Sequence, residues 1–300
     1  KNTKNPEGGE IEHDANGEPT GILKETAQGL VGNLIPQPSA EQQNKGMELA
    51  LKMAREYGIT SVQDNSGYET TKLYREFLKA DKLTVRVSEW QNFEDSVDEL
   101  KRQRTEFASF KDNPSRLKLG ALKGYVDGTL GSKTAAMLAP FSDDEGNSGI
   151  PRRSQEELTK MIVERDKEGW QIALHAIGDR ANRMALEGFK ISADETGVTA
   201  FKKSLAYQGL AEKKLPRHRI EHAQVVNPSD FKRFAELGVI ASMQPTHAIS
   251  DKRWAESRLG EYRVLGAYAW HFMKSYGVHV PFGTDFPVES INPYQTLYAA

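Results

Sequence analysis

Trp170-Gln-Ile-Ala-Leu-His175, running into Ala-Ile-Gly-Asp179-Arg, is the stretch on which the reading of the fold turns. A short apolar run ends in a histidine and gives way, through a glycine, to a helical pattern over 180–196. The same arrangement recurs on either side. Upstream, Leu117-Lys-Leu-Gly-Ala-Leu-Lys-Gly124 runs into Tyr-Val-Asp127-Gly-Thr-Leu-Gly-Ser. Downstream, Arg217-His-Arg-Ile-Glu-His222 runs into Ala-Gln-Val-Val, and Val278-His-Val-Pro-Phe-Gly-Thr-Asp285 runs into Phe-Pro-Val-Glu.

Working outward, strands are predicted near 59, 83, 116, 170, 218, 239 and 278. Helical patterns are predicted over 40–57, 69–80, 92–108, 154–168, 180–196, 198–211, 229–237 and 261–276. Strands alternating with helices imply parallel βαβ units. An open doubly wound sheet is the rival, but a glycine-rich turn after the first strand is absent. Polar residues gathered at the C-terminal ends of successive strands favour an α/β fold of the TIM (β/α)8 type, with about seven strands present. The barrel domain is expected to take the whole chain, 1–300. Residues 1–40 form an N-terminal hairpin and extension, turning at Asn16-Gly17, and 41–300 carry βα units 2 to 8.

Composition narrows the chemistry. Forty basic against 42 acidic residues leave a formal charge of −2, which offers no footprint for nucleic acid or an anionic membrane. No cysteine is present, so a metal would rest on histidine, carboxylate or a modified lysine. The polar start has no signal-peptide pattern, and the compartment stays open between cytoplasm and periplasm.

His175, His222 and Asp285, at the ends of separate parallel strands, converge on one mouth and suit zinc or manganese. One alone is as well explained by a structural histidine or a helix cap; three at matching positions favour a site. Counting by two, Leu117, Leu119, Ala121 and Lys123 share a face, which points Lys123 inward. An inward lysine is costly unless paired, with Asp127 for instance, or carboxylated by CO₂ into an anionic ligand. His218-x-x-x-His222 has zinc spacing only on a helix. On a strand four residues span roughly 13 Å, so His218 is expected to be structural.

Leu122-Lys-Gly-Tyr-Val-Asp-Gly-Thr-Leu-Gly-Ser-Lys-Thr-Ala-Ala136, Ala173-Leu-His-Ala-Ile-Gly-Asp-Arg-Ala-Asn182, His218-Arg-Ile-Glu-His-Ala-Gln224, Ser242-Met-Gln-Pro-Thr-His247 and Phe282-Gly-Thr-Asp-Phe-Pro-Val288 together resemble the metal-dependent amidohydrolase superfamily. The branch is similar to that of the N-substituted formamide deformylases. The resemblance implies one or two divalent ions, zinc foremost, at the mouth of a (β/α)8 barrel. Lys123 would be the carboxylated ligand of the family's fourth strand, and His175 and His222 the ligands of the fifth and sixth. Asp285 would bind metal and move the proton, and His247 would assist. Gln244 and His247 are expected at the substrate, as are Asp127, in a loop over the site, and Arg219.

The implied activity is hydrolysis of a carbon–nitrogen bond in a small amide-like, non-peptide molecule. The family's His-x-His pair of the first strand does not occur in the sequence, nor does the flanking β-domain. The chain is therefore expected to be a fragment. The alternatives are an inactive barrel fragment that binds metal weakly or self-associates as a homo-oligomer, and a metal-dependent phosphodiesterase or esterase. The latter would draw on Lys133, Arg180 and Arg219.

Overall fold

The computed structural model describes residues 2–111, 113–197 and 217–300. The helix expected over 198–211 lies outside the described residues. A hairpin opens the fold, with β1 (Gly9–His13) and β2 (Pro19–Glu25) pairing antiparallel. Asp14 accepts the backbone N–H groups of Asn16 and Glu18 in the turn, and Gly17 takes φ 75° there.

Six parallel strands then pair in chain order, with helices between them. They are β3 (Ser61–Asp64), β4 (Arg86–Asn92), β5 (Leu117–Tyr125), β6 (Ile172–Ala176), β7 (Arg219–His222) and β8 (Ile240–Ser242). The helices are α1 (Ala40–Glu56) before β3, then α2 (Thr70–Lys79), α3 (Val97–Ser109), α4 (Gln155–Lys167), α5 (Asp179–Glu195) and α6 (Phe231–Leu237) between the strands. Ser39, Ser96 and Ser154 cap α1, α3 and α4, each accepting the N–H three residues on. Each cap contributes about 1 kcal/mol. The sheet curls into an incomplete barrel. Its helix side carries the core: Leu122, Ile172, Leu174, Ile220 and Ala241 meet Leu158, Ile162, Leu186, Phe189 and Phe234.

Three expectations are corrected. The seventh strand, 278–283, lies beside β8 but forms no regular ladder. Ala241 and Met243 donate to the carbonyls of His279 and Pro281, both at 3.0 Å, and Gly283 donates to Met243 at 3.1 Å. Pro281 has no N–H to donate, and a single parallel bridge, Met243 to Phe282, remains. The helix expected over 261–276 is divided. After α7 (Pro245–Asp251), α8 (Ala255–Arg263) ends in a 3₁₀ turn, and α9 (Trp270–Ser275) follows. The break follows from a close approach: the Gly266 carbonyl accepts from Val226, and a Cβ at Gly266 would lie 2.2 Å from the Val226 oxygen. A last helix, α10, spans Pro293–Ala299.

The third correction concerns β5. Leu117 packs with Val85, Val87 and Leu51 on the helix side, so it does not share a face with Lys123. Register against β4 shifts between Leu119 and Leu122, a bulge that reverses the alternation. Gly120 permits it, because a Cβ there would lie 2.4 Å from Ser88 Oγ and 2.5 Å from the Trp90 ring. Beyond the bulge Leu122 joins the helix-side core, and Ala121 meets Trp90 and Ala173 on the concave side. Lys123 reaches the mouth because of this extra residue.

Candidate active site

At the C-terminal ends of the strands lies a cavity of about 450 Å³. Lys123, His175, His222, His247 and Asp285 line it together. One ligand atom from each of His222, His247 and Asp285 lies within 4.8 Å of the others. The His175 and His222 rings stand edge to face at 4.5 Å, and the His222 and His247 rings stack at 5.7 Å. His247, in the first turn of α7, has Nε2 buried without a hydrogen-bond partner, 3.6 Å from Asp285 Oδ2. It therefore sits inside the tightest group of possible metal ligands, whereas the sequence gives it catalytic and substrate-binding roles and no place among the ligands.

The protein fixes the orientation of two of these rings. His175 Nε2 lies 3.0 Å from the Gly128 carbonyl oxygen, so it carries the proton and leaves Nδ1 as the free donor atom. His222 Nδ1 lies 2.8 Å from Gln244 Oε1, so it is the protonated nitrogen and Nε2 is left free. Burial pulls the His175 imidazole down to about 3 and holds His222 well below its ordinary value, with Lys123 adding to both. Both rings are thus neutral, the form that ligates a metal.

Burial also draws the Lys123 amine down to about 8, against the opposing pull of Glu221 and Asp285. Asp285 is raised, first by burial, while His247 and Lys123 pull it the other way. The backbone is strained where two of these groups sit: φ is 76° at His222, 42° at Ala223 and 56° at Asp285. Strict alternation from Ile220, which faces the helices, would send His222 the same way. The left-handed turn ends the strand and brings the ring beside His175. Strain of this kind, on the order of 1–3 kcal/mol per residue, collects where a site must be held in place.

Three residues expected at the substrate lie elsewhere. Asp127 is fully buried, and its carboxylate accepts the N–H groups of Ala136, Ile177 and Gly178 at 2.8–3.0 Å. Arg219 is buried below the mouth, paired with Glu221 at 2.6 Å and bonded to Ser242 Oγ at 2.9 Å. Gln244 does not line this cavity; its Oε1 faces His222 Nδ1 at 2.8 Å. Asp127 is not the partner of Lys123 either: among the described residues no ion pair within 4.0 Å engages that amine. His218 is away from the cavity, stacked on Phe189 with Nε2 3.3 Å from Asp166. Lys133 pairs with Asp143 and Asp144, and Arg180 lines a separate hollow. Asn182 orients its helix from within, donating to the carbonyls of Ala176, Gly178 and Val225. The outer wall of the cavity includes Leu130, Ile177, Trp254, Phe286 and Val288.

With that geometry in view, the comparisons with known proteins are specific. The family model described as the amidohydrolase family matches residues 1–300. The chain belongs to the amidohydrolase family. It is 31% identical over 316 residues to the protein LONG AFTER FAR-RED 3 of Arabidopsis thaliana, covering 99% of this chain and 50% of that one. It is 29% identical to the putative amidohydrolase YtcJ of Bacillus subtilis, covering 100% and 53%. With the N-substituted formamide deformylase of Arthrobacter pascens it shares 25% identity over 99% of its own length and 53% of the relative's. A solved metal-dependent hydrolase of Pyrococcus horikoshii superposes with TM-score 0.72 and 26% identity, covering 96% of this chain and 54% of that one. The amidohydrolase chain thus spans about half the length of the curated relatives it matches.

Proposed function

We propose that this amidohydrolase is a metal-dependent enzyme that hydrolyses a carbon–nitrogen bond in a small amide-like molecule, with Lys123, His175, His222 and Asp285 as the metal-holding set. The observation that carries the reading is the meeting of two neutral, oriented histidines with His247 and Asp285 in one cavity. The donor set fits a borderline divalent ion such as zinc: imidazole nitrogens with their second nitrogens bonded to protein oxygens, and a carboxylate. Family membership and the metal-dependent hydrolases among its structural neighbours support the same reading.

A divalent ion bound there supplies Lewis acidity, which polarises a carbonyl and makes water more acidic. Asp285 takes the proton of the attacking water and returns it to the leaving nitrogen, so amide and water become carboxylic acid and amine. His247 Nε2, buried and otherwise unpartnered, is the donor assigned to the carbonyl oxygen as charge develops on it. Lys123 is assigned a carbamate: its neutral amine adds to CO₂ and releases one proton. The fall to about 8 raises the share of neutral amine near physiological pH. The apolar outer wall suits an alkyl or aryl substituent on the substrate.

Elemental analysis after dialysis tests the metal assignment. Near one zinc, manganese or similar ion per chain is expected, lost in a His175→Ala/His222→Ala double variant. Equal trace metal in both proteins would sink the reading.

A further inference from the structure

The N-terminal hairpin ends in a residue that no part of the proposed chemistry uses. Glu25, the last residue of β2, is nearly buried, its side chain 9% exposed. Its backbone takes φ 52° and ψ −125°, a conformation that favours glycine and that the surroundings must hold in place. Its carboxylate reaches across the fold to two partners. Oε1 accepts from Thr134 Oγ1 at 2.6 Å, and Oε2 accepts from Arg152 Nη2 at 2.9 Å.

Both contacts lead to the same ring. Oε1 and Thr134 Oγ1 occupy the space that a side chain at 128 would need, within 1.9 and 2.0 Å of an added Cβ. Glu25 therefore lies directly against Gly128, whose carbonyl oxygen receives the His175 Nε2 proton. Thr134 Oγ1 also accepts from the N–H of Thr129, which closes the turn that follows Gly128. On the other side, Arg152 lies over the Tyr125 ring at 4.9 Å, and Tyr125 is tilted against His175 at 5.3 Å. One carboxylate on the hairpin thus buttresses both the acceptor that sets the His175 tautomer and the ring that flanks it.

We propose that Glu25 is a positioning residue for the metal site: it locks the Gly128 carbonyl and the Tyr125–Arg152 stack so that His175 presents Nδ1 to the cavity. The hairpin is on this account part of the site's framework. The inference rests on the metal reading for its affinity consequence, but its effect on the tautomer stands apart from any metal.

Two variants, Glu25→Ala and Glu25→Gln, and two readouts test it on the full chain. Imidazole nitrogen NMR on protein labelled at histidine, assigned for His175 with a His175→Ala control, reads the tautomer without metal. Zinc titration reads the affinity. Wild type is expected to hold His175 as the single Nε2–H form. Glu25→Ala is expected to show mixed tautomers and a zinc Kd raised about 10- to 100-fold, the range for loss of an outer-shell partner. Glu25→Gln keeps the shape and one acceptor, and is expected to fall between the two. If Glu25→Ala does not fold, the glutamine variant carries the test alone. Variants that fold and keep both the wild-type tautomer and the wild-type affinity would overturn the proposal. A wild-type chain that binds no zinc would count against the metal reading, while the tautomer would still decide the role of Glu25.

Discussion

Two sets of titratable side chains stand on the strands of this sheet and the segment beside it, and they face opposite ways. On β5 to β7 and the segment ending at Asp285, Lys123, His175, His222 and Asp285 open into the cavity. On β3 and β4, Asp64 and Glu89 sit side by side in register. Val62 and Val87, two residues before each, belong to the helix-side core, and the two carboxyls follow them to that side. There Asp64 accepts from the Tyr74 hydroxyl of α2, and Glu89 accepts from the Gly67 N–H at 2.8 Å. Burial, with Asp64 alongside, pushes Glu89 up to about 10. A strongly perturbed ionisable group on one of these strands is thus no sufficient mark of chemistry. The face it takes decides whether it meets solute or helix, and one bulge or one left-handed residue can change that face.

The contrast can be broken by experiment. The largest effect is expected at Asp285, on the cavity side. In an active form of the enzyme, Asp285→Asn should lower kcat by about 10²- to 10⁴-fold, the range for a proton-transfer group. Unchanged turnover there would erase the distinction between the two sets.

Glu89 is expected to report on stability. Its folded value lies above its ordinary one, so the folded state holds more protons between about 4.5 and 10. Its contribution is complete below that window and is lost as pH rises through it. Glu89→Gln, which keeps a donor beside Asp64 without needing a proton, should therefore raise Tm at pH 9 by about 2–4 °C and flatten the slope of Tm against pH. A variant with the wild-type slope would show that Glu89 ionises freely. The smallest change is expected from Tyr74→Phe, about 1 kcal/mol lost in denaturant unfolding, with no effect on metal content. If metal content fell with Tyr74→Phe, the helix-side set would belong to the site after all.

The sequence was informative where a signal is local. An apolar run ending in His175 or Asp285 is visible as text, and so is the helix cap that follows a serine. The six strands, and the position of a seventh segment beside β8, follow from such runs. What escaped depends on residues far apart in the chain. Unbroken alternation would also put Lys123 at the mouth, but it arrives there through the bulge at Gly120–Ala121, opposite Trp90. Asp127 reads like a loop residue over a substrate because nothing near it in sequence announces the three N–H groups awaiting it. His247 joins Asp285 only because the first turn of α7 and the segment ending at Asp285 meet at the mouth. Glu25 is 109 and 127 positions from its partners, beyond the reach of any spacing argument.

The buried carboxylate of Asp127 has a consequence for how this part of the molecule comes apart. Ala136 belongs to the loop after β5, while Ile177 and Gly178 join β6 to α5, and all three amides end on one side chain. None of these segments can loosen without stranding a buried acceptor, so the loop and the β6 end open together or stay shut. Amide hydrogens spread over more than forty positions would then exchange with solvent through a single shared event, and the floor under His175 would behave as one cooperative unit.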